Sequence, residues 1–458
     1  VMAHDSTNLH GSSFRRSIGL ASATSMVVGI IVGVSIFVQP TEVTRLVASE
    51  RGIVLAWLVS GILTLCAALV CAELSRLFPE IGGVYIFLRR IYSPALAFLW
   101  GWAMFWTLHS GILAAIAVVL ARYAGHFFGL GEAGIRVLAV AAILLVSTVQ
   151  YLGVKLGSAV QVTLTAAKLA AIVLVCLLLF GLGGAVHHAL PSVAPRPVSL
   201  TAFGLAVSAG LFSFGGWHMV SYVAGETREP EKTIPRALIF GVLIVTACYT
   251  LLNAAYLYVM PLAAVAGSSR VAADATMRVL GPMGGAAITI IIIVSALGSL
   301  NGIALAGPRV YYAMAQDGLA FRWMAALHPQ RHTPHLAILA QAIWASVLAA
   351  TNSYHALFTS VVYTEWLFFA FLAAGILILH RRGQYTPRFL KAAYPLVPVV
   401  SLVTSAAIAA NQLWATPRDS AIGLGLLLMG LPVYFISSRN TTKQAARRAS
   451  ADADHRLP

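Results

Sequence analysis

Runs of about twenty apolar residues alternate with short polar separators along the whole chain. A membrane-crossing helix needs roughly 20 apolar residues rising about 1.5 Å each. Twelve stretches qualify: 18–47, 52–74, 94–124, 135–152, 157–183, 201–225, 237–260, 283–315, 334–351, 356–380, 394–413 and 419–437. The separators are too short for a water-soluble domain, so the pattern predicts an all-α integral membrane protein with twelve transmembrane helices. Residues 1–17 are polar and end on Arg15-Arg16 directly before the first span, which is not the layout of a cleavable signal peptide.

Two spans are interrupted. Span one reads Met26-Val27-Val28-Gly29-Ile30-Ile31-Val32-Gly33-Val34-Ser35-Ile36-Phe37 and runs on to Pro40. Span six reads Ser208-Ala209-Gly210-Leu211-Phe212-Ser213-Phe214-Gly215-Gly216-Trp217. Non-helical backbone at membrane depth survives only where it is buried in protein or lines a cavity. Two breaks five spans apart, one in each half of the first ten, form the pattern of an inverted-repeat transporter. A broken helix exposes N–H groups that attract an anion and C=O groups that attract a cation. A zwitterionic amino acid carries both charges on adjacent atoms. Close packing through glycine accounts for one such stretch, and less well for two in matching positions.

Composition sharpens the class. Of 458 residues, 59% are hydrophobic and 10% charged, against about 25% charged in a soluble domain; mean hydropathy is +0.85. The formal charge of +15, from 30 Lys+Arg against 15 Asp+Glu, is the kind that often marks nucleic-acid binding. Position argues otherwise. With the N-terminus inside, 21 of the 30 cations fall on the inner side and eight outside (Arg45, Arg51, Arg122, Arg136, Arg196, Arg270, Arg278 and Arg418), with Lys168 in mid-span. That bias predicts a multi-pass protein of the plasma (inner) membrane with both termini cytoplasmic, partnered by the lipid bilayer and not by nucleic acid. Cys66, Cys71, Cys176 and Cys248 all lie inside apolar spans, where cysteine acts as a small hydrophobe.

At this point several motifs in order carry a resemblance. Phe212-Ser213-Phe214-Gly215-Gly216-Trp217, then Glu226 to Pro230, then Ile234-Pro235-Arg236-Ala237, resemble the L-type amino acid transporters of the amino acid–polyamine–organocation superfamily. Gly29 to Phe37, Ala72-Glu73-Leu74 with Phe78-Pro79 and Gly82-Gly83, and Gly298-Ser299-Leu300-Asn301-Gly302 are similar to the same family. The similarity covers about 18–415. It implies a LeuT-like fold: a 5+5 inverted repeat with helices 1 and 6 broken, plus two peripheral helices. Repeat one would span 18–184, repeat two 201–381 and the last two helices 394–438, with cytoplasmic tails at 1–17 and 439–458.

The resemblance also implies a substrate site between spans one and six. The substrate carboxylate would meet amides around Gly33, Val34 and Ser35. Its amino group would meet carbonyls near Ile30, Phe212 and Gly215, with Phe212 as the aromatic lid and Phe214 beside it. Two departures stand out. Gly33-Val34-Ser35 replaces the family's Gly-Ser-Gly or Gly-Ala-Gly, and losing the second glycine narrows how the backbone can turn. His218, the eighth residue expected at the substrate, replaces an asparagine common in relatives; it either adds pH sensitivity there or remains a neutral, hydrogen-bonded ring.

Lys168 is the most informative single residue. A charged Lys at the bilayer centre costs about 2.5–3.5 kcal/mol or more, so it should face the bundle interior. The resemblance places it beside spans one and eight, where sodium-coupled relatives hold sodium; its ammonium would substitute for that ion and make transport sodium-independent. A proton-carrying role is a further reading. Glu365 is the other mid-membrane charge, a candidate gate, pocket residue or protonated structural acid, and Asn301 is a second candidate gate or pocket residue. His109 reads as packed and hydrogen-bonded. Glu73, Glu226 and Arg309 sit near inner helix ends, where ion pairing at a gate and helix capping both fit.

The run from His328 to His335 is broken by two prolines and predicts no metal site. No H-E-x-x-H, G-x-S-x-G or G-K-[ST] pattern occurs, so neither an enzyme nor a cofactor is expected. In animals, L-type transporters are disulfide-linked to a glycoprotein through a Cys between spans three and four. Residues 125–134 contain none, so no disulfide-linked heavy subunit is expected. The leading expectation is a secondary amino acid transporter, a sodium-independent exchanger or facilitator of neutral L-amino acids. A proton-coupled amino acid or polyamine symporter is the alternative.

Overall fold

The computed structural model describes residues 14–188, 198–351 and 354–437. Its helices run, in chain order, α1 (Leu20–Ile31), α2 (Ser35–Leu46), α3 (Glu50–Leu77), α4 (Val84–Ile91), α5 (Pro94–Ala103), α6 (His109–Phe128), α7 (Glu132–Leu152), α8 (Val154–Leu182), α9 (Gly184–His188), α10 (Leu200–Phe212), α11 (Pro230–Val259), α12 (Leu262–Gly267), α13 (Val271–Leu280), α14 (Pro282–Gln316), α15 (His335–Thr351), α16 (Tyr354–Arg381), α17 (Leu396–Ala415) and α18 (Pro417–Leu428). A π-turn over Met104–Leu108 joins α5 to α6, and a 3₁₀ segment, Trp217–Glu226, follows α10. Among the described residues the sole β-type pairing is an isolated parallel bridge between Ile18 and Thr227.

Among the described residues, ten helical stretches are long and apolar enough to cross a bilayer, and α1 with α2 forms a further, broken span bent by 51°. The ninth expected span is α15, which is apolar but only 17 residues long. Starts are written locally. Ser49, Ser93 and Ser199 accept from the amides of Gly52, Leu96 and Ala202 at the N-termini of α3, α5 and α10, and Pro94, Pro230 and Pro282 occupy first helical positions.

The α1 segment is the centre of the bundle. From Met26 to Ile31 every residue is buried, against α11, α8, α14 and the 3₁₀ segment. Small residues permit the close approach expected where van der Waals packing drives helix association. A Cβ on Gly241 of α11 would land 2.4 Å from Cγ1 of Val27. By contrast α17 and α18 leave large apolar side chains outward, among them Val403, Leu413, Trp414, Ile422 and Leu428, as befits helices on the periphery facing lipid.

Candidate functional site

Helix α1 stops at Ile31 because the backbone leaves the helical region at Val32 (φ −73°, ψ 77°), and α2 restarts at Ser35. Val34 has φ −77° and ψ −26°, an ordinary right-handed conformation. Ser35, which stands where the family has its second glycine, is the first residue of α2 and does not have a positive φ, so the restart needs no glycine there. The first amides of a helix have no intrahelical acceptor. Among the described residues, nothing accepts from the amides of Val34, Ser35 or Ile36, whereas the Gly33 amide is already bound to Ile31 O at 2.7 Å. The anion-attracting group is thus Val34, Ser35 and Ile36, one residue further along than the sequence reading placed it.

The second break follows α10. Gly216 has φ 95°, a left-handed conformation that favours glycine, and a Cβ there would lie 2.5 Å from Cγ2 of Ile30. The two breaks are therefore in direct contact. Tyr249 of α11 ties them: its hydroxyl reaches Ile31 O at 2.9 Å and Ser213 O at 3.2 Å. Since both partners are carbonyl acceptors, its one proton is shared between them.

Between the breaks lies a cavity of about 220 Å³. Ile30, Gly33, Val34, Ser35, Phe212 and Gly215 all line it, joined by Glu365. Ile112 and Ile116 of α6, Ile303 of α14 and Trp366 and Phe369 of α16 make much of the remaining wall apolar. Phe214 does not line it. This ring is 1% exposed and packs into Trp57 and Tyr249, with centroids 6.4 and 5.0 Å away. Two residues apart across a turn, Phe212 and Phe214 point to different sides.

Lys168, 1% exposed, donates from Nζ to Gly29 O at 2.9 Å, Val32 O at 2.7 Å and Ser295 O at 2.9 Å. All three ammonium protons have acceptors, and two of these belong to the open end of α1. Ser295 and Ser299, one turn apart on α14, add hydroxyls to the same carbonyls: Ser295 Oγ to Val32 O at 2.9 Å and Ser299 Oγ to Gly29 O at 3.0 Å. A positive charge set among helix C-terminal carbonyls is electrostatically favourable.

Asn301 stands apart from the cavity. Its side chain is buried between α7, α8 and α14, accepting from Gln150 at 2.6 Å and donating to Gln161 Oε1 at 2.8 Å and Gly157 O at 3.1 Å. It is a helix-packing residue, because its face of α14 points away from the breaks. His218 is fully buried behind the wall, and its Nε2 lies 3.3 Å from Oε1 of Glu365, off hydrogen-bond geometry, so neither ring nitrogen has a hydrogen-bond partner among the described residues. His109 meets the Tyr311 hydroxyl at 3.2 Å.

One end of the bundle is sealed by polar contacts. Arg309 grips Glu226 with two hydrogen bonds, at 2.9 and 3.0 Å, and both side chains are wholly inaccessible. The amides of Ser17 and Ile18 donate to Glu226 O at 2.8 and 2.9 Å, so the segment before α1 is strapped to the segment after α10. Glu73 is a capping group more than a gate: its Oε1 accepts from the amides of Arg388, Phe389 and Leu390.

Tyr249, Ser295 and Trp366 escaped the sequence reading. Ser295 had a signal, a polar residue one turn before Ser299 in an otherwise apolar helix. Tyr249 had none, since an aromatic in an apolar span is ordinary core.

Residues 18–437 match the family model described as amino acid permease. The chain is similar to the "Serine/threonine exchanger SteT" of Bacillus subtilis (strain 168), 31% identical over 429 residues, which cover 93% of this chain and 97% of that one. It is 30% identical over 442 residues to the "Large neutral amino acids transporter small subunit 2" of Homo sapiens, covering 93% and 81%. The "b(0,+)-type amino acid transporter 1" of Homo sapiens is 29% identical over 432 residues, covering 93% and 88%. With broken helices pressed together around a small cavity and a family match that spans nearly all of the helical body, the chain belongs to the amino acid permease family of the amino acid–polyamine–organocation superfamily.

Proposed function

We propose that the protein is a secondary transporter of neutral L-amino acids that works by alternating access, as a sodium-independent exchanger or facilitator. The observation that carries this reading is the pairing of opposite poles at one cavity. Amides of Val34, Ser35 and Ile36 without acceptors sit beside the carbonyl ends of the broken helices. The substrate carboxylate takes the amides, and its ammonium takes carbonyls near Ile30, Phe212 and Gly215. Helix ends of this kind bind charge without a full countercharge on a side chain, so the bound zwitterion adds no net charge to the membrane interior.

Lys168 supports sodium independence. Its ammonium already supplies positive charge to Gly29 O and Val32 O, the carbonyls an ion would otherwise use. In the proposed cycle, access alternates around the two breaks, which touch where Gly216 meets Ile30. The Glu226–Arg309 pair closes the inner end, taken as cytoplasmic from the charge bias. No disulfide-linked heavy subunit is required. Buried ionisable groups at Glu365 and His218 favour proton coupling as the second reading.

Uptake of labelled neutral amino acids into proteoliposomes tests the proposal. Entry stimulated by internal amino acid supports exchange, and replacing sodium by choline should leave the rate unchanged. Absence of entry with or without internal amino acid overturns transport, a large loss in choline overturns sodium independence, and dependence on a pH gradient favours the second reading.

A further inference from the structure

Glu365 is the only ionisable side chain among the described residues lining the cavity. It sits on α16, 12% exposed at the side chain, with Trp366 and Phe369 as neighbours on the same wall. Among the described residues, no Lys or Arg pairs with it. Lys168 is spent on three carbonyls, and Arg309 on Glu226. His218 stands 3.3 Å behind it without hydrogen-bond geometry. A carboxylate only accepts hydrogen bonds, and a partly desolvated acceptor without a protein donor is costly. The cheapest remedy is a donor brought in by the substrate.

We infer that Glu365 is the specificity determinant of the cavity and accepts a hydrogen bond from an N–H or O–H group on the substrate side chain. The inference rests on the transport reading above and narrows its substrates to amino acids with donor-bearing side chains. The α-carboxylate and α-ammonium are common to all amino acids and fall to the helix ends, so they cannot discriminate. Among the described lining residues, Ser35, Thr64 and Ser213 offer neutral hydroxyls, and Glu365 is the one charged group left to read the side chain. A site built to hydrogen-bond a substrate hydroxyl or amide strongly rejects the isostere lacking it, because the site's own buried group is then unpaired. Threonine should therefore bind at least about tenfold better than valine, and asparagine better than leucine by a similar factor.

The test is a thermal-shift titration of the detergent-purified full chain with threonine, valine, asparagine and leucine, repeated on Glu365→Gln and Glu365→Leu. The expected result is a preference for threonine and asparagine in the wild type, partly kept by Glu365→Gln and lost or reversed in Glu365→Leu. Equal affinities for threonine and valine in the wild type overturn the inference without any variant, so a Glu365→Leu protein that fails to fold leaves it falsifiable. A preference that survives in folded Glu365→Leu overturns it equally. If no amino acid shifts the melting temperature at all, the transport reading itself falls, which distinguishes the two failures.

Discussion

The ammonium of Lys168 donates to the carbonyl oxygen of Val32 at 2.7 Å, the shortest of the three hydrogen bonds that hold it. A side chain from α8 thereby completes the broken end of α1. Lys168→Met keeps much of the stem but removes every donor, leaving the buried carbonyls of Gly29, Val32 and Ser295 short of partners. Hydrogen bonds to charged groups contribute roughly 1.5–3 kcal/mol each and are not additive. The expected outcome is a lower melting temperature in detergent and at least a tenfold fall in proteoliposome uptake. Unchanged uptake would show that the ammonium is not needed at the break.

The Tyr249 hydroxyl spans Ile31 O and Ser213 O, while its ring packs on Trp57 and Phe214. Tyr249→Phe keeps the ring and removes only the bridge. Destabilisation of about 1–2 kcal/mol is expected, together with slower exchange at unchanged expression. Detergent melting and initial uptake rates report the two effects separately.

Breaking the Arg309–Glu226 pair should be severe. Removing one partner of a buried pair leaves an uncompensated charge and costs about 3–5 kcal/mol. Arg309→Met and Glu226→Leu should each reduce folded yield, measured by size-exclusion of a fluorescent fusion. The double variant should recover part of that loss, because no unpaired charge remains. A double variant worse than both singles would contradict this account.

Gly216→Ala should abolish uptake. Its backbone is left-handed at φ 95°, and the added methyl would meet Ile30 at 2.5 Å. Combining it with Ile30→Ala removes the clash but not the backbone strain, so partial recovery of uptake is expected. Full activity of the single variant would mean that the breaks do not depend on this contact.

Much of the architecture was legible because its causes are local. A helix that crosses a bilayer must be long and apolar, so span length and polar separators read directly from residue order. The broken spans were legible at Gly29, Gly33, Gly215 and Gly216 because glycine in such runs is exceptional. Lys168 was legible because a cation in mid-span must find acceptors inside the bundle. Six of the eight residues expected to bind substrate do line one cavity.

What the residue order determined by itself is therefore the class, the breaks and the residues that had to be inward. Only the tertiary structure decided which side of a turn each aromatic takes and which polar groups meet. Phe214 went to the core and Phe212 to the cavity because α3 and α11 supply Trp57 and Tyr249 as a receiving surface on one side alone. Asn301 was captured by Gln150 and Gln161, and the Gly33 amide by Ile31. Glu365 and His218 became neighbours through the packing of α16 on the segment after α10. Such pairings depend on helix rotation about the long axis, where a fraction of a turn exchanges one set of partners for another, and no local pattern records that rotation.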